Sequence, residues 1–377
     1  LKEFGRGEDF RKNCRRIAVV KEKKKEMSFS FFKQLKPKTA AELVRQARDS
    51  LLSLDTKTTV ADVRLLEKAL EEAEKNIKAM KDMLLGDSDT EPSLENVAEV
   101  TMEVCKLDIL ELFVHKLATL GWEARKDAVH VWGAVLRQQL PAASAGGGGG
   151  GQCGLEYLEN HGELLDSLVS CYENKEIALN CGNMLRECAR YPSLVKYMLE
   201  SASFDLFFNF VQMPNFDIAS DAFATFKELL TRHNAIVVAY LTSHYSEFFA
   251  SFDKLLESDN YVTRRQSLKL LSDILLERSN STIMLMYISD ARNLRMMMNL
   301  IKDPSKNIQS SAFHVFKVFV ANPNKAPQII NILSKNRDKL LRFLDNFHLD
   351  KEDEQFEEEK ELLVKEIEGL QSPPRNR

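Results

Sequence analysis

Three segments of the chain superimpose at a fixed interval: IASDAFATFKELL (218–230), TRRQSLKLLSDIL (263–275) and IQSSAFHVFKVFV (308–320). A small residue stands at Ala222, Ser267 and Ala312, a large apolar one follows at Phe223, Leu268 and Phe313, and another at Phe226, Leu271 and Phe316. Successive copies are therefore 45 residues apart. An earlier copy puts Cys181 and Leu185 in these roles 41 residues before Ala222, and a first one puts Ala128 and Trp132 there, 53 residues before Cys181. The surplus in that last interval is the excursion at 141–152, whose run Gly146 to Gly151 we read as a loop insertion between repeats. A period of about 40 to 47 residues is that of armadillo and HEAT arrays.

A unit of two or three helices cannot bury its apolar face alone, so such units stack and share a continuous core. The small residue lets neighbouring helices approach closely. The fold predicted is all-α, an armadillo/HEAT-like helical repeat solenoid, curved, with a concave binding face. The same spacing extends towards the N-terminus, where Leu43, Val44, Ala47, Leu51 and Leu54, then Val63, Leu66, Leu70, Ala73, Ile77, Met80 and Leu84, fall on helical faces. Outside the glycine run there are few breakers. Residues 1–26 are charge-dense and aperiodic, end before Met27, and are expected to be a disordered N-terminal extension. Residues 27–349 are expected to form the repeat domain. Residues 350–377 should supply an acidic link (DKEDEQFEEEKE), a capping or loosely docked helix (LLVKEIEGL) and a flexible end.

Composition excludes several functions. Of 377 residues, 44% are hydrophobic and the net charge is −4, with no apolar run near the roughly 20 residues that cross a membrane. A cytoplasmic protein without membrane insertion is expected. The six cysteines have irregular spacings and no clustered histidines, so they read as reduced thiols rather than a metal site. No nucleotide-binding, zinc-protease or nucleophile-elbow motif occurs, and the glycine run lacks the Lys-Ser/Thr of a phosphate loop. GDSDTEPSLE (86–95) has its glycine ahead of the acidic residues, which rules out a calcium loop of the EF-hand kind. The repeats carry neither overall positive charge nor a nucleic-acid-binding signature. The expectation is a protein with no catalytic residues, no cofactor and no metal, working through protein partners.

One basic cluster stands out, Arg264, Arg265 and Lys269 in NYVTRRQSLKLL, with Lys269 one turn after Arg265. Arginines near a helix start oppose the dipole, but Asn260 can cap the helix and leave both beyond its first three positions. The register does not demand Arg265, since Ser220 and Ser310 stand at its equivalents. These side chains either reach into solvent or line a groove for an acidic or carboxylate-bearing partner. Met296, Met297 and Met298 in NLRMMMNLIKDP cannot all face one core, so at least one is expected to point elsewhere. With Arg278 and Lys335 nearby in the pattern, they suggest an apolar hole ringed by basic donors, suited to a peptide C-terminus.

FDIASDAFATFKELLTRH, NYVTRRQSLKLL, MMNL and AFHVFKVFVANPNK closely resemble the mouse protein 25 family, also called calcium-binding protein 39, over about Met27 to Leu370. The resemblance implies an armadillo-like scaffold that binds sterile-20-type kinases or STRAD-like pseudokinases and holds them in a closed, active-like state. The family setting is kinase signalling, cell polarity and cytokinesis, in some lineages with a liver-kinase-type enzyme. It further implies that Phe216, Tyr261, Arg265 and Lys269 lie on the partner-binding groove. Met298 would line a pocket for a C-terminal Trp-Glu-Phe-like tail, with Arg278, Arg295 and Lys335 as partners for its acid groups. Arg295 stands where relatives often carry Lys. Ser281 replaces an aromatic of many relatives, and the glycine run is a further departure. The rival reading is an armadillo-type cargo or peptide-binding adaptor unrelated to kinases. Such modules show rows of Trp and Asn along the groove, whereas this chain has two tryptophans, Trp122 and Trp132.

Overall fold

A computed structural model describes residues 39–55, 60–87, 91–139, 151–347 and 354–370. The expected extension at 1–26, the segment opening at Met27, the glycine run up to Gly150 and the C-terminal end lie outside them. From Ala40 onward the chain clusters as one unit. Its helices are α1 (Ala40–Leu52), α2 (Val60–Leu85), α3 (Leu94–Lys106), α4 (Ile109–Lys116), α5 (Trp122–Arg137), α6 (Cys153–Asn160) and α7 (Glu163–Ser170). There follow α8 (Ala178–Cys188), α9 (Pro192–Glu200), α10 (Phe207–Phe210), α11 (Phe216–Thr231), α12 (Asn234–Ser243), α13 (Tyr245–Leu256) and α14 (Tyr261–Leu276). The last are α15 (Ser281–Ser289), α16 (Ala291–Leu300), α17 (Lys306–Ala321), α18 (Pro327–Lys335), α19 (Arg337–Asp345) and α20 (Glu354–Glu368). Among the described residues there is no strand, and no helix is long and apolar enough to cross a membrane.

Every third helix packs on the next: α2 on α5, α5 on α8, α8 on α11, α11 on α14, α14 on α17 and α17 on α20. This is the three-helix repeat of an armadillo-like array, and its spine is the set of segments that recur in the sequence. Ala128, Cys181, Ala222, Ser267 and Ala312 are all at most 1% exposed at these junctions. Phe226, Leu271 and Phe316 are fully buried beside them. Each such side chain contributes about 1.5–3 kcal/mol relative to exposure, so the stripe fixes each helix's rotation about its axis.

Most spine junctions also carry an ion pair. Lys81 meets Asp127 at 2.9 Å, Arg137 meets Glu187 at 2.6 Å and Arg186 meets Asp221 at 2.8 Å. Further along, Lys227 meets Asp273 at 2.8 Å and Lys317 meets Glu359 at 2.6 Å. The Arg186 junction is a network. Tyr172 Oη donates to Asp221 Oδ2 (2.8 Å), Arg186 donates to Asp221 Oδ1 (2.8 Å), and Arg186 also donates to Thr225 Oγ1 (2.8 Å). Burial and the Asp221 carboxylate keep the Tyr172 phenol protonated far above its ordinary range. Gly182 makes this possible, because a Cβ there would collide with the Asp221 carboxylate and the Tyr172 hydroxyl.

The acidic stretch expected as a link differs from expectation. From Glu354 it is already helical, and α20 is the last member of the stack. Phe356, Lys360, Leu363 and Ile367 share its buried face. Phe356 packs 4.9 Å from the Phe313 ring, and the Lys360 ammonium donates to the Phe347 carbonyl at 3.2 Å. A buried lysine stem thus fills a stripe position that charge alone conceals.

Candidate functional site: an aromatic and cationic face on α14

Four spine helices, α5, α11, α14 and α17, are each 16 residues long and start six positions before their small junction residue. Their first residues are Trp122, Phe216, Tyr261 and Lys306. Immediately ahead stand Gly121, Asn215, Asn260 and Ser305, and Asn174 precedes the turn into α8 at the same register. Asn260 Oδ1 accepts from the N–H groups of Val262 (2.9 Å) and Thr263 (3.4 Å), as its sequence position suggests. Asn215 accepts from Ile218 (3.1 Å), and Asn174 from Glu176 (3.1 Å). A cap satisfies N–H groups that the helix itself cannot. It also fixes the chain's entry, leaving the first side chain to project into solvent: Trp122 is 62% exposed, Phe216 65% and Tyr261 39%.

Phe216 and the start of α14 are brought together. A cleft of ≈ 90 Å³ separates the two helix starts, lined by Met213, Phe216, Phe223, Asn260, Val262 and Gln266 among others. The Tyr261 hydroxyl accepts from Ser305 Oγ and Asn307 Nδ2, both at 3.3 Å, which ties α14 to the start of α17. These donors, with the Arg265 charge, hold the phenol below its ordinary range. Sequence reasoning missed Val262, Ser305 and Asn307. The recurrence of Asn or Ser one residue ahead of each spine helix is the signal that locates them.

The two arginines of NYVTRRQ separate cleanly. Arg264 is bound, donating to the Ser258 carbonyl at 2.8 Å and pairing with Asp303 at 3.3 Å. Arg125 occupies the same register in α5 and likewise donates to carbonyls of the preceding turn, Leu120 at 2.8 Å and Glu176 of the next repeat at 2.8 Å. An arginine at the fourth helical position is therefore a stitch between repeats, and the carbonyls and carboxylate it meets outweigh the dipole. Arg265 is exposed and has no hydrogen-bond or ion-pair partner among the described residues, and the same holds for Lys269. With Tyr261 they mark successive turns of one face of α14.

The second set is less concentrated. Arg278 lies in the 3-10 turn Arg278–Asn280 that follows α14, while Arg295 and Met298 belong to α16, which packs on α18 carrying Lys335. Arg278, Arg295 and Lys335 are exposed and without an ion-pair partner among the described residues. Met297 is fully buried and Met298 is 9% exposed. Met296, half-buried, also lies against the core, so none of the three methionines points fully outward. Met298 is thus at the core's margin, and Ser281 is exposed at the start of α15, the helix that packs on α16.

Among the described residues no group of three or more His, Cys, Asp or Glu side chains is placed to hold a metal ion. Among the described residues five cysteines are free thiols. His233, half-buried, is hydrogen-bonded to the Ala189 carbonyl at 2.9 Å, a structural role.

Residues 29–371 match the family model described as Mo25-like. A putative MO25-like protein of Arabidopsis thaliana is 47% identical over 338 residues, covering 89% of this chain and 96% of that protein. Calcium-binding protein 39-like of Mus musculus is 44% identical over 334 residues, covering 88% and 95%. Among solved structures, a designed armadillo repeat protein aligns at 12% identity with a TM-score of 0.39, covering 72% of this chain and 99% of that chain.

Proposed function

The chain belongs to the Mo25-like family, and from that premise we propose that it is a non-catalytic scaffold that binds a sterile-20-type kinase or STRAD-like pseudokinase and shifts it towards its closed, active-like state. The observation that carries this reading is the face of α14. Tyr261, Arg265 and Lys269 lie on successive turns of one face and the two cations lack internal partners, while Phe216 lines a cleft with Val262 and Gln266 on the adjoining face of α14. Cations that the fold leaves unpaired lose little on being covered by a carboxylate and gain a charge-assisted hydrogen bond. A scaffold changes its partner's state only through differential affinity for the two conformations. The groove would therefore contact elements that move on closure. Arg278, Arg295, Lys335 and Met298 serve in this reading as the pocket for an acidic, aromatic C-terminal tail.

The test is a binding and kinase assay with sterile-20-type kinases, comparing wild type, Arg265→Ala and Met298→Ala. Arg265→Ala is expected to weaken binding and stimulation roughly tenfold or more, most visibly at low salt. Met298→Ala should weaken only partners that carry the tail. Failure of the wild type to bind or stimulate any of the kinases would exclude the scaffold reading for that set. Equal behaviour of all three proteins would retain the scaffold and remove these site assignments.

A further inference from the structure

Cys105, near the end of α3, and Cys153, the first residue of α6, are 48 positions apart in sequence, yet their Sγ atoms lie 3.5 Å from each other. The helices that carry them pack together, and one turn beyond, Tyr157 Oη donates to Asp108 Oδ1 at 3.1 Å, a second tie across the same seam. Gly154 lets α6 approach, since a Cβ there would lie 2.6 Å from the Val135 carbonyl oxygen of α5. Both thiols are half-buried, so a small oxidant can reach them while they stay in contact. We propose that Cys105 and Cys153 form a redox-sensitive dithiol that a peroxide converts reversibly to a disulfide, stapling α3 to α6 across the segment that contains α5 and the glycine run.

The two sulfurs are inequivalent. Their contact, in which either sulfur can donate, raises the pKa of Cys105 and lowers that of Cys153; backbone N–H groups at the start of α6 assist, while burial and the Glu156 carboxylate oppose. Cys153 is thus the attacking thiolate. Its Sγ forms a bond to one peroxide oxygen, the O–O bond breaks, and the departing hydroxide takes a proton to become water. Cys105 Sγ then attacks the sulfenic sulfur of Cys153 and loses its proton. The S–O bond breaks and the second oxygen leaves as water. Two thiols are oxidised by two electrons and the peroxide is reduced to two waters; an external dithiol reverses the step by exchange. Closing the sulfurs from contact to the roughly 2 Å of a disulfide needs a small shift. A second thiol contact joins Cys181, 1% exposed, to the half-buried Cys171.

The experiment treats the full chain with hydrogen peroxide, blocks free thiols, and maps non-reducing digests by mass spectrometry. A peptide pair linking Cys105 to Cys153, about 2 Da lighter than the two thiols and lost on addition of dithiothreitol, supports the proposal. In Cys105→Ser, Cys153 should stall as a sulfenic acid captured by dimedone, several-fold more than in wild type. Free, blockable Cys105 and Cys153 after oxidation of other cysteines would overturn it. Equal dimedone capture in wild type and Cys105→Ser would also overturn it, since Cys105 would then not resolve the intermediate.

Discussion

Asp221→Ala is expected to lower the unfolding free energy by about 3 kcal/mol, measured by urea denaturation at neutral pH. The carboxylate is the hub of the α8–α11 junction, accepting from Arg186 on one oxygen and from Tyr172 on the other. Its removal strips a half-buried guanidinium of its counter-charge and leaves Thr225 Oγ1 as the acceptor that it and the fully buried phenol share, and a buried charge without its partner costs more than the bond it loses. Gly182→Ala should strike the same group from the other side by displacing the carboxylate. The double variant should then cost less than the sum of the two singles, the mark of a shared network. Asp273→Ala provides the contrast. Its pair with Lys227 has side chains 38% and 42% exposed, and solvent screening leaves less than about 1 kcal/mol there. An effect of that small size at Asp221 would remove the network from the account of stability.

Asp253→Asn should act in the opposite direction. In α13, burial raises the Asp253 pKa to about 6, opposed by Arg292 and aided by Glu257 and Asp290. Its Oδ1 is buried without a hydrogen-bond partner, as are the hydroxyls of Tyr245 and Tyr287. A carboxyl whose pKa is higher folded than unfolded stabilises the fold when protonated. That contribution is complete below pH 3.8 and is lost as the pH rises through about 6. By neutral pH the loss is worth at most roughly 3 kcal/mol, less what solvent screening of a partly exposed carboxylate removes, and a neutral amide of the same shape escapes it. Asp253→Asn should therefore be more stable than wild type at pH 7.5 and nearly equal to it at pH 4, read from urea midpoints at the two values. A constant difference across that range would show that Asp253 does not titrate in it.

Legibility in the sequence followed the range of the interaction. The recurrence through Ala222, Ser267 and Ala312 gave the spine, because a buried stripe repeats whenever the same junction repeats. Asn260 was readable as a cap because capping spans only three residues. Arg264 and Arg265 were indistinguishable in sequence, since their difference lies in Asp303, a repeat away, which takes one and not the other. The same limit hid the Cys105–Cys153 contact and the Tyr261 hydroxyl's partners. At α20 local composition misled: DKEDEQFEEEKE has one aromatic among its charges, and the helix becomes apparent only when Lys360 is counted as apolar. Helical spacing was enough to put Tyr261, Arg265 and Lys269 on one face of α14, and what each side chain is free to do was not readable.

The position of α20 bears on how the protein behaves in a crowded solution. A stack built by adding like to like has no natural end, and a bare last repeat is adhesive to any other copy's apolar edge. Here Phe356, Leu363 and Ile367 cover that edge, while Glu354, Glu357, Glu358, Glu361, Glu366 and Glu368 face outward. The same helix that completes the core therefore gives this edge of the described stack a charged outer face, on which Leu362 is the large apolar side chain left exposed.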